Sequence, residues 1–236
     1  MLEGLGKPVV FTGSQIPLAE VRTDARGNLI TSMILAGSLQ GGEVGIYLNG
    51  KLLRGNRAKK VSVGGLDAFE SPNFPPLVTA GIDMEVRKDL LRSAPVEENV
   101  SVRSLPAGEV VAMRLFPGIS AGVLARLPAE PVAGVVRETC GAGNAPVRDS
   151  GLLETLRRAS ERGVVIVNCT QCLRGAVDMS GYETGSALAR AGVVSGGDMT
   201  VEAAIAKLSY LLSLRLPPEE ARRLIAEDLR GELTIG

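Results

Sequence analysis

No histidine occurs among the 236 residues, aromatic side chains make up 3%, and there are three cysteines. Each scarcity excludes a class of chemistry. Without imidazole there is no Ser-His-Asp triad, no Cys-His pair and no histidine-ligated metal. Catalysis then falls to Lys, Asp or Glu, Tyr, Ser or Thr, or Cys. A structural zinc site takes about four ligands. Cys169 and Cys172 form a CxxC, but only Cys140 and carboxylates remain to complete a set. The cysteines are therefore expected to be reduced and free of metal. A redox CxxC opens a helix within a thioredoxin-like unit, and no such pattern surrounds "VVIVNCTQCLRG". Charge is balanced, 26 bases against 26 acids. No basic stripe or aromatic platform marks a nucleic-acid partner. Apolar runs are short and broken by Gly or polar residues, so no membrane span fits. The start, "MLEGLGKPVVFTG", lacks signal-peptide character, and the chain is expected in the cytoplasm.

What is present is an ordinary globular composition, 45% hydrophobic and 22% charged, long enough for one large domain or two small ones. "KPVVFTG" reads as a buried strand feeding a loop, "SQIPLAEVRTDARGN" as that loop, and the apolar positions from about Asn28 as a helix ending at Gly41-Gly42. "EVGIYLNGKLLRGNR" reads as a hairpin through its Asn-Gly turn. "KKVSV" is a further strand candidate, and "SPNFPP" is irregular because its prolines deny ladder hydrogen bonds. The polar stretch near residues 90–107 is taken as a boundary. Beyond it, strands at "GEVVAMRLFPG", "PVAGVVRET" and "VVIVN" alternate with helices. Those helices are "SAGVLARL" with Ser120 as cap, "DSGLLETLRRASERG" capped by Asp149 or Ser150, "SGYETGSALARAG", "MTVEAAIAKLSYLLSL", and one opened by Pro217-Pro218. Such alternation predicts a parallel α/β sheet, with ligands at the carboxyl ends of its strands. The loops there are "TGSQ", "NRAKK", "RETCGAGNAP" and "NCTQC". "GAGNAP" lacks the third glycine of a dinucleotide loop, and nicotinamide binding is not expected.

Taken together, "KPVVFTGSQIPLAEVRTDARGNL", "LLRGNRAKK…DAFESPNFPPL", "GNAP…RGVVIVNCTQC", "GYETGSALARAGVVSGGDMTVEAAIAKLSYLLS" and "RGELT" resemble type I (cytoplasmic) bacterial L-asparaginase over essentially the whole chain. Part of the pattern is shared with the asparaginase-like subunit of the archaeal Glu-tRNA(Gln) amidotransferase. The resemblance implies a two-domain α/β architecture with parallel sheets: a partial N-terminal domain over 1–92, a linker over 93–107 and a C-terminal domain over 108–236. It implies hydrolysis of L-asparagine to L-aspartate and ammonia without metal or organic cofactor, in a homodimer or tetramer.

The family's nucleophile is a threonine in "TGGT", and "GTDT" supplies a threonine and an aspartate that work with a lysine. A threonine hydroxyl needs a base, and lysine serves when burial and neighbours lower its pKa. The resemblance assigns that part to Lys60 and leaves Lys59 a surface residue; from the residues alone, an exposed structural lysine is the plainer reading of both. It puts Ser14, Gln15 and Asn144 near substrate. It also implies an allosteric asparagine site at Arg137, Thr170, Gln171 and Cys172, where an arginine fork suits a carboxylate. A strand-end ion pair is the alternative for Arg137, and a turn residue with positive φ for Asn144. Neither "TGGT" nor "GTDT" occurs in these 236 residues. The chain is expected to be inactive alone, to need a companion segment carrying them, and to leave a sheet edge and helix faces uncovered in its first half. Two other readings stay open, an amidotransferase subunit and a non-catalytic asparagine-binding module.

Overall fold

The computed structural model describes residues 2–93, 99–105, 109–120, 122–123, 131–144, 150–180 and 183–235. They form two compact units, Met1–Arg103 and Ser104–Gly236. Of the expected helix led by Ser120, Ser120, Gly122 and Val123 are described, the last two as helix; its other residues, the Asp149 cap and parts of the 93–107 span lie outside the described residues.

In the first unit, β2 (Val9–Thr12) runs parallel to β3 (Val44–Leu48), with α1 (Ala25–Ser38) between them in sequence. β4 (Lys51–Arg54), β7 (Val78–Ala80) and β8 (Met84–Val86) continue the sheet antiparallel, in the order β2-β3-β4-β7-β8. The β3–β4 turn is the expected Asn-Gly turn, with Asn49 at φ 45° and Gly50 at φ 77°. Positive φ at both central residues matches the twist of the flanking strands. Leu35, Tyr47, Leu52, Leu77 and Val78 form the core. A short pair joins β1 (Leu2–Glu3) to β9 (Ser101–Val102). Another joins β5 (Lys59–Lys60) to β6 (Phe69–Glu70). The strand expected over "KKVSV" thus stops at Lys60. Val61 and Ser62 donate instead to the Ala68 carbonyl, at 2.8 and 3.3 Å, and the Ser62 hydroxyl accepts from the Gly64 and Gly65 amides. A turn replaces the strand. Helix α1 begins at Ala25, three residues ahead of the expectation, because Ala25, Arg26 and Gly27 extend it by a turn before its first large apolar position; Asp24 stands at the N-cap position without a side-chain cap bond.

The second unit holds four parallel strands in sequential order: β10 (Val110–Arg114), β11 (Gly134–Thr139), β12 (Val165–Thr170) and β13 (Val193–Ser195). Sequential order with right-handed crossovers requires the connecting helices to share one face. α2 (Ser150–Glu161) and α3 (Glu183–Arg190) do so, packing Leu152, Leu156 and Leu188 with Val135, Ile166 and Val193. The opposite side chains, Val136, Val165 and Val167, bury against α4 (Val201–Ser213) and α5 (Pro218–Ile225) through Leu208, Leu211 and Ile225. Strand alternation thereby feeds two cores. A Cβ at Gly134 would stand 2.7 Å from Leu208 Cδ2, so glycine permits the close approach of α4. The Thr200 side chain caps α4 by accepting from the Ala203 amide. Below it, Lys207 and Glu232 pair at 2.7 Å, both nearly inaccessible. Lys207 also donates to the Ile225 and Glu227 carbonyls, which ties the chain end to two helices.

Candidate active site and effector pocket

In the first unit the informative loops converge on one polar network. Thr12 closes β2 by donating its hydroxyl to the Tyr47 carbonyl at 2.9 Å. Ser14 follows, exposed. The Gln15 amide nitrogen donates to both Asp24 oxygens at 3.1 and 3.2 Å, and Ile16 N–H to Oδ1 at 2.9 Å. Asn28, buried on α1, donates to Asp24 Oδ2 and to the Gly13 carbonyl and accepts from Asn49 N–H. Desolvation pushes the Asp24 carboxyl up, and hydrogen bonds from Ile16, Gln15 and Asn28 outweigh it, holding it below its usual range. The Gln15 side chain donates to the Val63 and Gly65 carbonyls at 3.1 and 3.0 Å. Both of its N–H groups are therefore engaged by the loop that follows Lys60.

Lys60 is exposed, with Nζ 5.8 Å from the Phe69 ring centroid. Lys59 is half-buried opposite Glu70. Among the described residues of this unit, none encloses Lys60. The conspicuous string around it has a structural function. Arg54 and Arg57, both buried, set their guanidiniums 4.6 and 5.1 Å from the Phe74 ring of "SPNF". Arg54 also pairs with buried Glu43 at 2.7 Å. Losing one partner of such a pair costs about 3–5 kcal/mol.

In the second unit Arg137 is fully buried in mid-sheet. Among the described residues no group hydrogen-bonds its Nε, Nη1 or Nη2, so the expected alternative of a strand-end ion pair is not what forms. Burial, with nothing opposing it, lowers its pKa to about 10. It lies in register with Asn168, equally buried. The Asn168 Nδ2 reaches the Gly143 carbonyl at 3.5 Å, whereas its Oδ1 has no hydrogen-bond partner among the described residues. Both side chains alternate onto the α2/α3 face of the sheet, the side of Val135 and Ile166.

Thr170, Gln171 and Cys172 sit beyond them at the strand ends and do not bond to Arg137. The Thr170 hydroxyl donates to the Gly141 carbonyl at 2.6 Å and accepts from Cys172 N–H at 3.0 Å. The Gln171 side chain donates to the Leu115 and Glu138 carbonyls at 2.6 and 2.9 Å. Asn144 is exposed and bridges back to Cys140; the positive φ values of this loop belong to Gly141 and Gly143. All three cysteines are free thiols. Asp24, Asn28 and Asn168 escaped the sequence reading. For Asn168 the signal is a polar residue within an apolar strand, for Asn28 it shows only once the helix phase is fixed, and Asp24, in the loop ahead of α1, carries none.

Two family descriptions match the chain: "Asparaginase, N-terminal" over residues 1–92 and "Glutaminase/Asparaginase C-terminal domain" over residues 109–225. The chain is 46% identical over 235 residues to L-asparaginase 1 of Escherichia coli strain K12, spanning 99% of this chain and 69% of that protein. The chain belongs to the asparaginase family. By family it is an amidohydrolase. The fold agrees with the crystal structure of L-asparaginase I from Vibrio cholerae, with a TM-score of 0.92 at 45% identity over 100% of this chain and 70% of that one. The 60 kDa lysophospholipase of Mus musculus is 46% identical over 236 residues, of which the chain spans 42%.

Proposed function

We propose that the chain is the lysine-bearing and effector-binding part of an L-asparaginase that hydrolyses L-asparagine to L-aspartate and ammonia. Lys60 serves as base toward a threonine nucleophile, which belongs to a "TGGT" segment acting together with these residues and with "GTDT". Ser14 and Gln15 line the substrate's surroundings, and Asn144 reaches the site of a neighbouring copy in a homodimer or tetramer located in the cytoplasm. Residues 1–92 supply part of the N-terminal domain and 108–236 the C-terminal domain. The observation that carries the reading is the 46% identity to an L-asparaginase over 235 residues, 99% of this chain. An exposed Lys60 fits a base whose enclosure comes from the nucleophile segment. Arg137, with Thr170, Gln171 and Cys172, forms an effector site for asparagine. This is supported by a buried guanidinium whose nitrogens have no hydrogen-bond partner among the described residues, a state that an incoming carboxylate relieves.

The test is ammonia release from L-asparagine by the 236-residue chain, alone and mixed with a protein that carries "TGGT" and "GTDT". Release only in the mixture is expected. Release by the chain alone would overturn the nucleophile assignment, and silence in both would overturn the reading as a whole. Calorimetry with millimolar asparagine on wild type and Arg137→Met tests the effector site; equal heats from both would remove it.

A further inference from the structure

We infer that Asp24 and Asn28 are a positioning pair that fixes the hairpin presenting Lys60, an assignment that rests on Lys60 being the base. The hairpin β5–β6 is rooted by Ala58 and Ala68, both buried. Between its strands the loop has little apolar anchorage: Val61, Val63 and Leu66 are 41%, 92% and 43% exposed. Two polar arms hold it among the described residues. On one side, Gln15 Nε2 donates to the Val63 and Gly65 carbonyls, and the Gln15 backbone is fixed by Asp24. On the other, Asp67 accepts from Lys51 at 3.2 Å and bonds to the Asn49 side chain. Asn49 N–H in turn donates to Asn28 Oδ1 at 3.1 Å.

Both arms trace back to the same pair. Asp24 Oδ2 accepts from Asn28 Nδ2 at 3.1 Å, and Asn28 also holds the Gly13 carbonyl. One carboxylate gathers three donors, and one carboxamide joins the "TGSQ" loop to the Asn49-Gly50 turn. Hydrogen bonds of this kind are short-ranged and directional, and linked ones reinforce one another. They set where the loop sits in a way that apolar contact, being non-directional, does not. Asp24→Asn preserves shape, but whichever oxygen becomes –NH2 it sets donor against donor, the Gln15 and Ile16 amides at Oδ1 or the Gln15 amide and Asn28 Nδ2 at Oδ2, so it loosens the first arm. Gln15→Ala cuts the same arm without touching Asp24, and removes a half-buried side chain outside the core.

The experiment is amide hydrogen exchange by mass spectrometry on the full chain, with pulse acylation of Lys60 read against Lys7. In Asp24→Asn and Gln15→Ala, exchange over residues 62–67 is expected to quicken about tenfold or more, while β3 and β4 change less than about twofold, as for local rather than global opening. Lys60 acylation shifts in the same variants. Unchanged exchange over 62–67 in both variants, with β3 and β4 still protected, overturns the inference. Should Asp24→Asn fail to fold, Gln15→Ala alone decides. Ammonia release in the presence of the nucleophile segment separates this from the underlying reading. Positioning predicts a lower kcat with KM nearly unchanged in Asp24→Asn, because Asp24 acts on the loop and not on the substrate. An active Lys60→Met overturns the catalytic assignment of Lys60, while faster loop exchange would still uphold the tether.

Discussion

In the second unit, Val136, Val165 and Val167 bury against Leu208, Leu211 and Ile225, and both faces of a four-stranded parallel sheet are closed by helices. The first unit turns this around at α1. Asn28 and Ser32 face inward, while Leu29, Ile30, Met33 and Ile34 are exposed. Apolar area gives the second unit its stability, and directed hydrogen bonds give the first unit the placement of its loops. The two regions therefore respond differently to substitution. Changes in the second should appear first as lost free energy of unfolding, and changes in the first as altered geometry at a nearly constant fold.

The largest expected effect is in the second unit. Burial pushes the Glu232 carboxyl up, and Lys207 with two backbone N–H groups outweighs it and holds it below its usual range. Lys207→Met leaves that carboxylate buried without its counter-charge, at about 3–5 kcal/mol. Chemical denaturation measures it, and a loss under about 1 kcal/mol would mean the pair behaves as a surface one. Arg137→Met is expected to do the opposite. Removing an uncompensated buried charge should stabilise the unliganded chain by about 1–4 kcal/mol while abolishing effector binding. Destabilisation would show that the guanidinium has a partner. Thr200→Ala, which deletes the cap of α4, should cost about 1 kcal/mol.

The smallest effect is in acid. Hydrogen bonds from Arg157 and Arg158 on the surface of α2 hold the Glu154 carboxyl at about 2. A folded value below the unfolded one contributes stability that is present above about pH 4.5 and lost as pH falls toward 2. Asp24 is shifted in the same direction, so protonation below its usual range should free the first unit's loop. Glu154 is exposed, so salt should erase its share; Asp24, enclosed by three donors, should keep more of its own. Thermal unfolding of Glu154→Gln and Asp24→Asn between pH 2 and 5, at low and high salt, sharpens the contrast.

Much of this was legible in the sequence. The parallel strands β10 to β12, α2 to α5 and the Asn-Gly hairpin follow from periodicity and turn chemistry, because those elements are held by repeated local rules. The boundaries of α1 and of "KKVSV" were not. The first turn of α1, Ala25 to Gly27, carries no large apolar side chain to announce it, and Ser62 with Gly64 and Gly65 bends the chain where alternation suggests a strand. The polar network was hidden for another reason. Gln15 and Val63 are 48 residues apart, as Asn28 and Gly13 are 15, and hydrogen bonds between such positions leave no period to read. Arg54, Arg57 and Phe74 stood inside a motif whose chemical look concealed a packing role. Arg137 carried the opposite error, a strand residue expected at the sheet's end that lies fully buried within it.

The most direct test of the account compares the two adjacent lysines. Lys60→Met and Lys59→Met are assayed side by side for ammonia release from L-asparagine, each with the "TGGT" and "GTDT" segment supplied. Loss of a general base predicts a fall of about 10²-fold or more for Lys60→Met, with Lys59→Met retaining most of the wild-type rate. Retained activity in Lys60→Met, or the larger loss in Lys59→Met, would contradict the assignment of the base.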